Sequence, residues 1–171
     1  MFSIIKASEN DYKLIARIGK IAVEEAHQKS CSAESLSEFL HKNYNEESIQ
    51  KDLLETKNLY HLIFCNEEPA GFSKIILNEQ HLNIIDKNVT KLDRIYLLKE
   101  FHNLKLGFEL LKFNMELSKK NNQFGIYLFT WIGNERAINF YLKIGFKIIG
   151  SHQLKITETH SNPNHHMYLK Y

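Results

Sequence analysis

The sequence predicts an α/β fold, a mixed central β-sheet flanked by helices, in one domain spanning residues 1–171. Three observations carry this. Apolar residues switch repeatedly between the two-residue period of strands and the 3.6-residue period of helices. Two strand-like runs, 89–98 and 125–132, each lead into a helical one. The 171 residues are 43% hydrophobic and 25% charged with only seven Gly and two Pro, which suits one proper core and excludes collagen-like, linker-rich and disordered classes.

The elements follow in order. Ser3–Lys6 reads as a short strand. From Asp11 to His27, residues Leu14, Ile15, Ile18, Ile21, Ala22 and Ala26 share one helical face. A second helix spans Ser32–His41. A third spans Glu46–Glu55, with Asn45 as N-cap and Glu46 and Glu47 complementing the helix dipole. Leu59–Cys65 and Ala70–Leu77 are β-rich runs joined through Asn66-Glu67-Glu68-Pro69 as a hairpin. After a polar stretch to Asn88, the strand Val89–Leu98 feeds a helix from Asn103 to Lys119, where Leu106, Leu110, Phe113 and Leu117 recur at helical spacing. Gly125–Ile132 is a buried-type strand, and the helix Glu135–Ile144 ends at Gly145. Phe146–Gly150 and His166–Tyr171 complete the sheet.

Lys and Arg exceed Asp and Glu by two, which argues neither for nor against nucleic acid. The distribution is uneven. Residues 21–50 hold six acids (Glu24, Glu25, Glu34, Glu38, Glu46, Glu47) against Lys29 and Lys42, a balance of −4. An acidic early segment with a basic remainder suits a cation on one side and a phosphorylated ligand on the other, although solvated helix faces give the same pattern. No apolar run reaches membrane-spanning length, and Met1–Lys6 lacks a basic n-region, so the chain reads as cytoplasmic, with neither nucleic acid nor membrane as partner. Cys31 and Cys65 are too few for a disulfide framework and too isolated for zinc. His160, His165 and His166 fit no common zinc spacing and lie around Pro163, as in a solvated turn, so no metal is expected.

Two blocks carry the chemistry: Leu92-Asp-Arg-Ile-Tyr-Leu-Leu-Lys-Glu-Phe-His-Asn-Leu-Lys-Leu-Gly-Phe108, and Asn134-Glu-Arg-Ala-Ile-Asn-Phe-Tyr-Leu-Lys-Ile-Gly-Phe146. Together they resemble the signature blocks of the GNAT superfamily of acetyl-CoA-dependent N-acetyltransferases, and the order of elements agrees over nearly the whole chain. The first block also has a physical reading. A strand running into a helix presents free N–H groups at the positive end of the helix dipole, where an anion such as pyrophosphate is favoured. That cradle comprises His102, Asn103, Leu104, Lys105, Leu106, Gly107 and Phe108. The family pattern, Gln/Arg-x-x-Gly-x-Gly/Ala, falls on His102, Lys105 and Gly107, so Lys105 stands where glycine is usual. Its Cβ crowds a phosphate, while its ammonium offers a charge-assisted contact.

The resemblance implies more. The strand ending at Leu97 and Leu98 splays from its neighbour and grips the pantetheine arm. Asn134 bonds a pantetheine amide, and Tyr141 protonates the departing thiolate, a role that suits a phenol of pKa about 10. Acetyl-CoA is then a co-substrate and the acceptor a small-molecule primary amine, with a homodimer left open. Asp93, Glu24, Glu25, His27 and Glu100 are all candidates for general base. Asn43–Leu53, Leu92–Tyr96, Trp131 and Gly150-Ser-His152 further resemble bacterial spermidine/spermine N-acetyltransferases of the Pai type. That similarity implies a polyamine acceptor, with Glu24, Glu25 and Asp93 as substrate-binding residues. The C-terminal hairpin 156–166 has only Glu158 as an acidic lip. The alternatives are a non-catalytic acetyl-CoA-binding regulatory protein, or transfer to a protein N-terminus, a lysine or an amino-sugar.

Overall fold

A computed structural model describes residues 1–171. Strand β1 (Phe2–Lys6) leads through a 3₁₀ turn to helices α1 (Tyr12–His27), α2 (Ala33–Asn43) and α3 (Glu46–Leu54). Then come β2 (Asn58–Cys65), β3 (Glu68–Ile76), β4 (Val89–Leu97), α4 (Leu106–Lys120), β5 (Gly125–Trp131), α5 (Glu135–Ile144), β6 (Lys147–Lys155) and β7 (Ser161–Lys170). The seven strands form one sheet in the order β1-β2-β3-β4-β5-β7-β6. Every neighbouring pair is antiparallel except β4 and β5. This is the expected mixed α/β architecture.

Helices α1–α3 cover one face. Their apolar stripes, including Ile15, Ile18, Val23 and Ile49, pack on Tyr60, Leu62 and Phe72. On the other face, Leu111 of α4 and Tyr141 of α5 join Ile75, Leu92, Ile126, Leu128 and Met167. Asn45 caps α3 as expected, accepting from the Ser48 N–H at 2.8 Å, and Ser32 caps α2 through Ser35. Gly145 ends α5 at φ +111°, a conformation that Gly adopts without penalty.

Three sequence expectations shift. Helix α4 begins at Leu106, not Asn103, because Asn103 and Lys105 adopt φ of 68° and 60°, outside the helical region. The β2–β3 connection is a two-residue turn, Asn66-Glu67, both with positive φ, and Pro69 lies inside β3 beside a register shift. Strands β6 and β7 pair from Lys147 to Lys155 and from Ser161 to Tyr168, well beyond the apolar runs that announced them. Much of β6 is solvent-exposed, so no apolar alternation marks it. His166 consequently lies within β7 and is fully buried, not solvated in a turn.

Candidate active site

The parallel pair β4/β5 is joined only over Val89–Lys91 and Gly125–Tyr127. Beyond that, β4 continues with β3 to Leu97, while β5 continues with β7 to Trp131. The β4 edge from Leu92 to Leu97 therefore has no strand partner on its β5 side, and its backbone polar groups are available to another extended chain.

The end of this open edge runs into a second set of free groups. After Leu98, which is buried, a 3₁₀ turn at Lys99–Phe101 returns the chain to α4. The N–H groups of Asn103, Leu104, Lys105, Leu106 and Gly107 donate to no backbone carbonyl. They cluster at the positive end of a 15-residue helix. The left-handed conformations of Asn103 and Lys105 shape this nest, and Lys105 holds a backbone geometry that glycine adopts more readily. A Cβ on Gly107 would stand 3.3 Å from Leu97 Cδ1, so glycine keeps this corner open. The residues 102–108 thus fit a phosphorylated ligand by backbone geometry, with Leu104 and Phe108 exposed at the rim.

Two further side chains shape the nest. His102 Nε2 lies 3.2 Å from the Leu97 carbonyl, and Arg136 Nη1 lies 2.7 Å from His102 Nδ1. Arginine only donates, so Nδ1 accepts and Nε2 carries the proton toward Leu97. This bridge ties α5 to the nest and brings in Arg136, which sequence reasoning missed. Asn134 caps α5: its Oδ1 accepts from the Ala137 N–H at 3.2 Å, which leaves its amide N–H groups free. Tyr141 is 7% exposed within the α4/α5 core cluster. Burial, with the nearby Tyr96 phenol adding to it, pushes its pKa well above the usual tyrosine value, so the phenol stays protonated at neutral pH.

The opposite face of β4 carries a charged network that the sequence reading did not assemble. Lys74 pairs with Arg94 and Ile75 with Leu92, which makes Asp93 an extra residue in a β-bulge. The bulge turns Asp93 and Arg94 to the same side. Lys74, whose side chain is 7% exposed, sits between Asp52 of α3 (2.9 Å) and Asp93 (3.1 Å), and Lys91 also pairs with Asp93 at 2.7 Å. Asp52 further accepts from Asn58 at 2.7 Å and from the Tyr60 hydroxyl. Burial alone would raise the Asp93 pKa, but Lys91, Lys74 and Arg94 outweigh it and hold it at about 2. The sequence offered one signal: two adjacent charges, Asp93-Arg94, interrupting an apolar strand, as a bulge does.

Asp93 and Arg94 carry this network to the surface of a groove of about 390 Å³. One wall is the end of α2 with Tyr44, and the other is the β6–β7 turn, Leu154–Glu158. The remaining sequence candidates lie elsewhere. Glu24 lines a separate cleft between α1 and α2 with Lys20, Gln28 and His41, and Glu25 is exposed. Glu47 pairs with Lys51 on the surface. Glu100 is exposed in the 3₁₀ turn, and His27, its pKa lowered by burial, lies near Trp131. Of the proposed substrate-binding acids, only Asp93 faces the groove. No group of three or more His, Cys, Asp or Glu side chains is arranged to hold a metal ion.

Residues 22–146 match the model of the acetyltransferase (GNAT) family. The chain belongs to this family. It is 27% identical over 149 residues, 87% of its own length and 86% of the relative's, to an uncharacterized N-acetyltransferase in the pepI 3′ region of Lactobacillus delbrueckii subsp. lactis. Among solved structures, it is similar to PaiA N-acetyltransferase from Thermoplasma acidophilum in complex with coenzyme A. The TM-score there is 0.79 at 20% identity, covering 100% of this chain and 99% of that one. Arabidopsis thaliana NAA60 in complex with a bisubstrate analogue gives a TM-score of 0.75 at 11% identity, with 99% and 98% covered. At such identities the likeness is one of fold. The GNAT chain is an acetyl-CoA-dependent N-acetyltransferase, and no helix in it is long and apolar enough to cross a membrane.

Proposed function

We propose that the chain transfers an acetyl group from acetyl-CoA to a primary amine of a small acceptor that enters by the β4 groove. The observation that carries this is the continuity of the open β4 edge with the five free N–H groups of residues 103–107. In this reading the nest holds the pyrophosphate, with Lys105 and Arg136 adding charge, and the edge around Leu97 and Leu98 binds the pantetheine amides together with Asn134. When bound, the coenzyme supplies a thioester whose carbonyl carbon the amine attacks.

The protein's tasks are positioning and proton transfer. A C–N bond forms as the C–S bond breaks, and Tyr141, which burial makes a weaker acid than a free phenol, gives its hydroxyl proton to the sulfur as negative charge develops there. Asp93 is unsuited as the base, because a carboxylate held at about 2 has little affinity for a proton at neutral pH. The amine proton leaves through the groove to solvent. The groove is lined by Glu38, Asp93 and Glu158 and equally by Lys42, Arg94 and Lys155. A polycation meets no net negative wall there, which favours an acceptor with a single amine over the polyamine implied by the Pai-type resemblance.

Calorimetric titration of acetyl-CoA, followed by thiol release with a panel of monoamines, polyamines and peptide N-termini, tests the reading. Release that requires both acetyl-CoA and an amine, and favours monoamines, is expected. Binding without thiol release for any amine would make the chain a non-catalytic acetyl-CoA-binding protein.

A further inference from the structure

Three cations, Lys74, Lys91 and Arg94, surround two carboxylates, Asp52 and Asp93, and of these five Arg94 and Asp93 line the groove. The short contacts belong to the lysines. Arg94 approaches the carboxylates only at 3.8 and 3.9 Å, beyond hydrogen-bond reach. Its one hydrogen bond goes from Nη1 to the Tyr60 hydroxyl at 3.1 Å. Asp52 cannot readily turn to it, since Lys74, Asn58 and Tyr60 already occupy that carboxylate. The guanidinium is nonetheless well buried, its side chain 17% exposed, with Cζ 4.9 Å from the centroid of the Tyr44 ring. Tyr44 is placed by Gly19 in mid-α1, where any Cβ would collide with its ring.

Asp52 and Asp93 balance its charge at ion-pair distance, but a planar fork with most of its five donors unused is built for a two-oxygen partner. We infer that Arg94 recognises an anionic group, a carboxylate or a phosphate, carried by the acceptor a few bonds from its reacting amine. This inference rests on the proposed acetyl transfer and specifies its acceptor. The geometry suits it. Arg94 precedes Tyr96 by two residues, about 7 Å along the strand, so an anion on Arg94 leaves the amine near the open edge at Tyr96 and Leu97. Of the two lysines on the groove walls, Lys155 is paired with Glu158 at 2.7 Å, so Lys42 is the one that adds charge of the same sign.

The test compares acceptors that differ only in charge: Glu-Gly-amide with Gln-Gly-amide, β-alanine with β-alaninamide, and phosphoethanolamine with ethanolamine. The expected result is a kcat/KM at least about tenfold higher for the anionic member of the peptide or β-alanine pair, the phosphoethanolamine pair, or both. Which pair responds identifies carboxylate or phosphate. In Arg94→Gln that ratio should fall to near one, and Arg94→Lys, which keeps the charge but not the fork, should retain part of it. Acetyl-CoA titration of each variant reports whether it is folded, and the fall of the ratio in Arg94→Lys carries the test if Arg94→Gln is not. Ratios near one in the wild type, or a preference that survives Arg94→Gln in a folded protein, overturn the inference. Absence of thiol release with every amine refutes the acetyl transfer itself.

Discussion

The two sides of β4 are built from different materials. On the side proposed for the coenzyme, the free polar groups are mainly backbone: the unpaired edge Leu92–Leu97 and the free N–H groups of 103–107. On the side proposed for the acceptor they are side chains from α2, β4 and the β6–β7 turn, backed by a network from α3, β2 and β3. Backbone presented by a strand and a helix end depends on local sequence and tolerates a replacement such as Lys105. A side-chain network depends on which residues distant segments contribute. The proposed coenzyme site thus rests on local backbone and the proposed acceptor site on side chains particular to this chain.

The largest effect expected on this contrast falls on Tyr141, which stands between the two sides. Tyr141→Phe keeps the ring in its core cluster and removes only the proton. Turnover should drop 10²–10⁴-fold, roughly 3–5 kcal/mol of barrier, with acetyl-CoA affinity nearly intact. Weaker binding with normal turnover would make Tyr141 a binding or packing residue.

The acceptor side should prove the more fragile one structurally. Asp52→Asn removes one of two carboxylates from Lys74 and leaves one amide oxygen where two carboxylate oxygens serve Lys74, Asn58 and the Tyr60 hydroxyl, so buried positive charge is under-compensated. Breaking such a network costs about 3–5 kcal/mol, a loss of about 10 °C in Tm for a chain of this size. An unchanged denaturation midpoint would mean that Asp93 alone suffices for Lys74.

Two smaller effects sharpen the comparison. His166 is fully buried with neither ring nitrogen hydrogen-bonded, and its ring centroid lies 4.2 Å from that of His81. Burial, with His81 and His152 adding to it, lowers its pKa to about 4. The unfolded chain binds this proton from about pH 6.5 downward and the folded one does not until about pH 4. Stability should thus decline as pH falls across that window and gain nothing there on raising it above 6.5. Unfolding in denaturant at a series of pH values, repeated with His166→Phe, should show a shallower decline in the variant. Smallest is Lys105→Gly, which relieves the left-handed backbone of a non-glycine residue and should change stability by no more than about 1 kcal/mol, in the stabilising direction. Marked destabilisation measured by thermal unfolding would show that the Lys105 side chain, not the nest's backbone, holds the turn.

The same contrast explains what the sequence disclosed. Element order, the N-cap at Asn45, the α5 stop at Gly145 and the strand-to-helix turn after β4 all depend on residues adjacent in the chain, so periodicity and motif spacing reveal them. The Asp52–Lys74–Asp93 network joins residues up to 41 positions apart, and no local pattern announces it. The acidic balance of residues 21–50 misled for the same reason: charge counted along the chain says nothing of direction, and Glu24 faces a cleft away from the groove. Strands β6 and β7 were underestimated because an edge strand with polar side chains carries no apolar signature, although its backbone pairs fully with β7.

The central claim is that the turn after β4 is where acetyl-CoA binds, and calorimetric titration of Gly107→Glu tests it most directly. Glutamate adds bulk where even a Cβ is 3.3 Å from Leu97 and places a negative charge in a nest suited to phosphate. The account predicts heat of binding for the wild type and none for a folded Gly107→Glu protein. Wild-type affinity in that variant would contradict it, and the coenzyme would then have to bind away from the free N–H groups of residues 103–107.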